Sequence, residues 1–280
     1  MQFHSTRASV LIPDGCDEAA ALGRITHLGI GAHADDLEFM ALHGILACHD
    51  RSDRWFGGVT CTDGRGSARS PQLSSDDALV RQRHHEQEEA ARTGRYGVMI
   101  QLGYSSQEAR NAGDPRLTDD LVDILRRSRP EVVYTHNPAD KHATHVAVTM
   151  RVVAAARAMP PEQRPKRLLG CEVWRGLDWM MDGEKVRLDV SNNPALAERL
   201  AGVFVSQMDG GKRYDLAVRG RERANATFHD SHQSDDAQAV WLAMDLTPLL
   251  DDGTLAVSAL VERHLTRFHD DVMESIKRYE

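Results

Sequence analysis

The chain has 280 residues, with 34 Lys and Arg against 42 Asp and Glu and a formal net charge of −8, which excludes a broad nucleic-acid surface. Its 41% hydrophobic and 27% charged residues exclude disordered, collagenous and membrane-bundle chains and leave ample material for a buried core. Four Cys, none spaced as CxxC, exclude a disulfide scaffold and a zinc ribbon, so the 14 His are the surplus to be explained.

Residues 1–13 lack the apolar run and small-residue cleavage site of a signal peptide. No stretch approaches ~18 uninterrupted apolar residues, so no membrane span is expected. A cytoplasmic protein with reduced thiols is the expectation. Residues 24–32 predict a short buried strand. Leu37, Met40, Ala41, Ile45 and Cys48 then recur at helical spacing, so His33-Ala34-Asp35-Asp36 is a strand-to-helix turn. A second strand over 55–62 leaves through Asp63-Gly64-Arg65-Gly66, a tight loop. A polar helix over 76–96 precedes a third strand over 98–102. A helix over 118–127, with Leu121, Ile124 and Leu125 inward, is ended by Pro130. The fourth strand, 131–135, runs into His136-Asn137-Pro138, and a helix resumes near Thr144 and continues to Met159.

Strand alternating with helix at this spacing means βαβ units. The fold class expected is a Rossmann-like, three-layer α/β fold with a mostly parallel central sheet. Further on, 168–174 and 185–190 predict strands, and 195–207 and 214–225 predict helices. Val257, Val261, Leu265, Phe268, Val272 and Ile276 form a helical stripe expected to pack on the core. The one hinge-like stretch, 160–165, is short. A single domain over 1–280 is therefore expected, with a core of about 24–210 and a C-terminal elaboration of about 211–280.

Open parallel sheets bind ligands at the carboxyl ends of their strands. Two polar motifs sit at such ends: His33-Ala34-Asp35-Asp36-Leu37-Glu38, and His136 to His145. A catalytic zinc needs three N or O ligands and an open position for water. His33 and Asp36 lie three apart, as do His142 and His145, so each pair can project to one side. Two imidazoles and one carboxylate would hold a metal that ionises water near neutral pH. Asp35, beside Asp36, could take the proton, and whichever His does not ligate could stabilise an oxyanion. Two readings fit less well. The facial triad of non-haem iron oxygenases has the same ligands but usually an antiparallel scaffold. A dinucleotide-binding turn needs glycine amides where this turn carries two aspartates.

At these residues the sequence resembles the PIG-L/LmbE-like zinc-dependent de-N-acetylases. Their first motif, His-Pro-Asp-Asp followed closely by Glu, stands here as His33-Ala34-Asp35-Asp36-Leu37-Glu38. Their second, Asp-x-His-Pro-Asp-His, stands as Asp140-Lys141-His142-Ala143-Thr144-His145. Weaker likeness extends through Thr62-Asp63-Gly64, Arg83 to Glu86, Leu102-Gly103-Tyr104 and Ser206-Gln207. The resemblance implies a metal on His33, Asp36 and His145, with Asp35 as general base and His142 as the electrophilic imidazole. It implies Arg83 as a substrate contact and an N-acetylglucosamine-type sugar or glycoconjugate as substrate. Zinc is the implied metal, with Fe2+, Mn2+ or Co2+ as alternatives. A homo-oligomer is compatible with it. Two positions depart from the pattern: Ala34 replaces a proline and Thr144 an acid. Asp140 is a candidate to orient His142 in place of that acid.

Asn137 and Asp140 are placed with Arg83 as substrate-binding candidates, Asn137 from its position at a strand end alone. His136 reads as packing rather than ligation. His84 and His85 read as solvated, and His229 and His232 as part of an exposed polar loop. Trp174, Trp179, Met180 and Met181 read as core rather than a sugar-stacking platform. The expected function is metal-dependent N-deacetylation of a small amino sugar or glycoconjugate. The rivals are another amidase or esterase on the same scaffold and a catalytically silent sugar binder.

Overall fold

The computed structural model describes residues 1–67, 73 and 75–280. Its frame is an eight-stranded sheet. In chain order the first half supplies β1 (Ser9–Leu11), α1 (Glu18–Gly23), β2 (His27–Gly31), α2 (Asp36–Met40), α3 (Leu42–Cys48), β3 (Phe56–Thr62), α4 (Asp76–Thr93) and β4 (Val98–Tyr104). Then follow α5 (Ser106–Arg110), α6 (Arg116–Ser128), β5 (Val132–His136), α7 (Ala143–Arg157) and β6 (Arg167–Cys171). The last third adds β7 (Lys185–Asp189), α8 (Pro194–Gly202), α9 (Val205–Asp209), α10 (Tyr214–Phe228), β8 (Val240–Asp245), α11 (Pro248–Asp251) and α12 (Val257–Lys277).

The strand order is β1-β4-β3-β2-β5-β6-β8-β7. The five central strands are parallel to their neighbours, whereas β1, β7 and β8 pair antiparallel. The mostly parallel sheet is as expected, and antiparallel strands close both edges. Two strands, β1 and β8, have no counterpart in the sequence reading. β8 inserts between β6 and β7, so a strand of the sheet lies in the segment read as a C-terminal elaboration. Side chains alternate between two apolar layers. Leu28, Ile30, Val59, Ile100 and Val133 face α6 and α7, and Phe56, Met99 and Tyr134 face α2, α3 and α8.

β2 carries glycine for a packing reason. A Cβ on Gly29 would lie 2.9 Å from Phe56 and 3.0 Å from Leu37. The bare backbone lets α2 settle on the sheet, which brings the start of that helix over the strand end. The same contact explains why these glycines sit inside the strand and not in the turn.

The stripe on α12 departs from expectation. Val257 is buried, but Leu265, Val272 and Ile276 are 46%, 37% and 46% exposed. Periodicity identified an amphipathic helix correctly. It carries no information on whether a second layer covers the apolar face; here Val257, Leu260 and Val261 pack on the core and His264 and Arg267 bind Glu184, while the face beyond is left largely exposed.

Glu172, just past β6, fastens β8. Its Oε1 accepts from the Leu242 N–H at 3.3 Å and from Asn225 Nδ2, and its carbonyl accepts from Trp241 Nε1 at 2.9 Å. Burial pushes its carboxyl up to about 7 from an ordinary 4.5. The folded state thus holds this proton more tightly than the unfolded chain. The stabilisation is complete below about 4.5 and is lost as pH rises through about 7. Glu172→Gln keeps the shape without the charge. It is expected to raise the melting temperature by a few degrees at about pH 8, from roughly 1–3 kcal/mol, and to leave it unchanged at about pH 5. Thermal denaturation at both pH values checks this; an equal shift at both would show that charge is not the cause.

Candidate metal centre and active site

The strand order reverses between β2 and β5: β3 and β4 lie on one side, β6 on the other. At such a point the loops after the two strands part and leave a crevice. The His33–Glu38 turn follows β2 and the His136–His145 segment follows β5, so the topology itself brings the two motifs together. Asp35 and Asp36 are the cap and first residue of α2; His142 and His145 are the cap and third residue of α7. Thr149 Oγ1 donates to the carbonyls of His136 and His145 at 2.8 and 3.0 Å, which pins α7 to the end of β5.

His33 Nδ1 lies 3.2 Å from His145 Nε2 and 3.4 Å from Asp36 Oδ2, and Asp36 Oδ1 lies 3.5 Å from His145 Nε2. Donors bound tetrahedrally to zinc at about 2.0–2.1 Å stand about 3.3–3.4 Å apart. With one or the other Asp36 oxygen as ligand, these three residues could hold one divalent cation. Two overlapping sets place one ligand atom per residue within 4.8 Å of one another: His33, His142 and His145, and Asp36, His136 and His145. The second set is weakened by the chemistry of His136. Its Nε2 stands 3.0 Å from the Ala32 N–H, which it accepts, and 3.3 Å from Asp36 Oδ2. The ring is fully buried and stacks on His145 with centroids 3.8 Å apart. It supports the site from behind, as packing.

Electrostatics separates the two aspartates. Burial raises the Asp35 carboxyl well above its ordinary value, and neighbouring Asp36 adds to this while Arg83 opposes it. Burial acts on Asp36 too, but the nearby His145 and His136, with hydrogen bonds from His136 and His33, outweigh it and hold that carboxyl well below the usual range. Adjacent carboxyls driven apart are a pattern of divided roles: one stays charged, the other can carry a proton. Burial, then His136, lowers His145 to about 4, so it is a neutral imidazole with a free lone pair.

Asp35 also holds an unusual backbone, with φ 87°. That left-handed conformation is sparsely populated outside glycine, asparagine and aspartate. Its N–H donates to Gln87 Oε1 at 3.3 Å, and Gln87 Nε2 donates to Glu38 Oε1 at 2.8 Å. Tyr96 Oη donates to the same Glu38 oxygen at 2.7 Å. Gln87 and Tyr96 were missed by the sequence reading, which had no reason to connect α4 with the turn.

Asp140 is not where it was expected. It is buried behind the cluster and does not line the cavity. Its Oδ2 lies 3.4 Å from His145 Nδ1 and accepts from the Trp174 N–H at 3.2 Å. Its Oδ1 accepts only the backbone N–H of His142, at 3.1 Å. It orients His145 rather than the His142 ring, whose Nδ1 is buried without a partner among the described residues. Asn137 is likewise fully buried. Its Nδ2 donates to the Cys171 carbonyl and its Oδ1 accepts from the Ala139 N–H, so it shapes the loop and is off the cavity wall.

Arg83 does reach the cavity. It is 2% exposed, its Nη1 donates to Gly64 O and Ser67 Oγ, and its Nε and Nη2 have no partner among the described residues. The cavity, about 510 Å³, contains His33, Asp35, Asp36, His142, His145 and Arg83. It is also lined by Phe39, Trp174, Tyr214 and Trp241, with Lys212 and Arg221, and the Trp174 ring lies 6.5 Å from that of His142. Trp174 is 38% exposed and lies on this wall, not in the core as expected, whereas Met180 is buried as expected. His84 bonds Ser9 at 2.7 Å and His85 is exposed; neither enters the cavity.

A family model described as PIG-L, GlcNAc-PI de-N-acetylase, matches residues 28–156, a span that contains both motifs. No curated protein matches the chain. The chain is similar in structure to the conserved protein TT1542 from Thermus thermophilus, at TM-score 0.62 and 19% identity, over 83% of this chain and 99% of that one. It is similar to N,N'-diacetylchitobiose deacetylase from Pyrococcus horikoshii, at TM-score 0.63 and 16% identity, over 86% and 91%. It is also similar to GalB, the 4-carboxy-2-hydroxymuconate hydratase from Pseudomonas putida KT2440, at TM-score 0.62 and 16% identity, over 79% and 96%. These likenesses establish the fold. A deacetylase and a hydratase share it, so the chemistry must be argued from the residues. Among the described residues no helix is long and apolar enough to cross a membrane.

Proposed function

We propose that this protein is a divalent-metal-dependent N-deacetylase that hydrolyses the acetamide of an N-acetylglucosamine-type sugar or glycoconjugate to amine and acetate. The observation that carries the reading is the convergence of His33 Nδ1, His145 Nε2 and the two carboxylate oxygens of Asp36, each of the three residues 3.2–3.5 Å from the other two, with Asp35 and His142 on the same cavity. The family match over 28–156 supports the amide as substrate. The whole chain acts as one catalytic unit in which the region after about residue 210 shapes substrate choice.

A divalent metal, zinc in the first instance, held by His33, Asp36 and His145 would supply Lewis acidity at the carbonyl and acidify a water. Asp35 accepts the proton of the attacking water. Its raised affinity for a proton suits it to hold that proton and return it to the departing amine. Burial, followed by the nearby His33, lowers the His142 pKa, so its ring is neutral at neutral pH and donates one N–H to the developing oxyanion. Arg83 lines the same cavity, and its unpartnered N–H groups bind a substrate oxygen.

Acetate release from the methyl glycoside of N-acetylglucosamine and from di-N-acetylchitobiose, by protein reconstituted with zinc, tests the reading. Hydrolysis of p-nitrophenyl acetate without acetamide cleavage would favour an esterase instead. Asp140→Asn is expected to weaken metal affinity about 10–100-fold while the protein stays folded, because the carboxylate behind His145 sets its ring orientation and basicity. Competition with a fluorescent zinc chelator measures it; parental affinity would remove Asp140 from that role.

A further inference from the structure

A second cavity, about 560 Å³, has no task in the proposed reaction. It lies where the segment between β6 and β7 meets α10 and α12, and among the described residues it shares only Arg221 with the first. Four acids line it: Glu172, Asp178, Asp182 and Asp271. Two cations answer them. Lys185 is spent on Asp182 at 2.6 Å, and Arg221 donates to the carbonyl of Val173. Arg221 favours the charged form of Glu172 without forming an ion pair with it. Burial lowers the pKa of His229, so that ring adds no charge at neutral pH. Glu172, Asp178 and Asp271 are left without an ion pair among the described residues.

Glu172 is not a solvated surface acid, being 1% exposed. Its Oε1 is taken by the Leu242 N–H and Asn225 Nδ2, whereas its Oε2 accepts no hydrogen bond among the described residues and opens on the cavity. The residue facing that oxygen is a glycine. A Cβ on Gly176 would stand 3.5 Å from Glu172 Oε2 and 3.7 Å from Asp178 Oδ2, with no other listed atom within 4 Å. Two carboxylate oxygens thus bracket an open spot, an unfavourable arrangement until a cation joins them. The cation that fits is organic. Calcium takes six to eight oxygens, and among the described residues no three acid or imidazole donors of this cavity converge within 4.8 Å. The rest of the lining is apolar, with Met180, Met181, Phe228 and Phe268. Phe228 is 82% exposed, so the core does not account for it. Methionine and aromatic side chains suit the carbon chain of an ammonium ligand.

We propose that this second cavity binds an alkyl di- or polyamine, with one ammonium over Gly176 between Glu172 and Asp178, the carbon chain against Phe228 and Phe268, and a further ammonium toward Asp271. The site stands on its own residues and does not depend on the deacetylase reading.

Calorimetric titration of the zinc-loaded full chain tests this with three probes: hexamethylenediamine, the hexanediol of the same length, and calcium chloride. It is run at about pH 8, where the Glu172 carboxyl is charged, and at about 0.15 M salt, which screens the general attraction of a chain of net charge −8. The diamine is expected to bind at least about tenfold more tightly than the diol, and calcium not to displace it. Asp178→Asn and Glu172→Gln should each weaken the diamine about tenfold, since each removes one charged acceptor. Gly176→Ala is the sharper variant. Its methyl group meets its neighbours at ordinary contact distance, so the melting temperature should hold, yet it fills the ammonium position and should weaken the diamine about tenfold or more. Gly176 lines the second cavity and not the first, so amine binding beside the metal would not respond to it. Equal binding of diamine and diol overturns the proposal, as does parental affinity in Gly176→Ala and Asp178→Asn. Displacement of the diamine by calcium also overturns it and gives the site to a metal ion.

Discussion

Asp35→Asn is expected to retain the metal content of the parent protein and to lower kcat by about 10²–10⁴. The expectation combines backbone and charge. Asparagine tolerates the left-handed conformation that Asp35 adopts at φ 87°, so the turn should form unchanged. The hydrogen bond to Gln87 Oε1 comes from the Asp35 backbone N–H and survives the substitution. Asp36, the neighbouring ligand candidate, keeps its contacts with His33 and His145. What disappears is the proton acceptor on the cavity wall. Metal analysis and steady-state kinetics on the neutral glycoside check both halves. A variant with near-parental kcat would show that the base lies elsewhere, and one that loses metal would show that Asp35 belongs to the ligand set.

The parts of this site that were legible in the sequence are those set by local spacing. A turn that follows a strand and opens a helix places His33 and Asp36 on one side, and an i, i+3 pair at the start of α7 does the same for His142 and His145. The rule that ligands bind where strand order reverses then brings the turns together, at the β2/β5 junction. Contacts that cross the sheet were not legible. Asp140 stands five residues before His145, a separation at which sequence cannot say whether the carboxylate faces the ring or the cavity. Asn137 sits at a strand end, as ligand-binding residues do, but its amide is consumed by Cys171 and Ala139. Gln87 and Tyr96 join the Asp35 turn from α4 and from the residues before β4, through packing that no periodicity encodes. β8 has no counterpart in the sequence pattern because its place between β6 and β7 is a property of the sheet, and its five-residue apolar run, Val240 to Met244, is equally a buried helix segment. Lys212 and Arg221 belong to no motif; only the fold shows that they share a wall.

His145→Ala is expected to abolish stoichiometric metal binding and, with it, activity by about 10²–10³ or more. His145 is the residue on which the alternatives converge, since every candidate donor set includes it. Its ring is 1% exposed, neutral, and held between Asp140 on Nδ1 and the cluster on Nε2. Removing it leaves His33 and Asp36, two donors on one turn, which is too few for a catalytic zinc. The informative comparison is with its neighbours. His33→Ala should lose metal as His145→Ala does, because His33 Nδ1 is 3.2 Å from His145 Nε2 and 3.4 Å from Asp36. His136→Gln should keep metal, because the lone pair of His136 Nε2 is taken by the Ala32 N–H, and a glutamine oxygen can accept the same N–H. Metal content measured on the three purified variants decides the ligand set without reference to activity. Loss of metal from His136→Gln with retention in His33→Ala would assign the metal to Asp36, His136 and His145 instead.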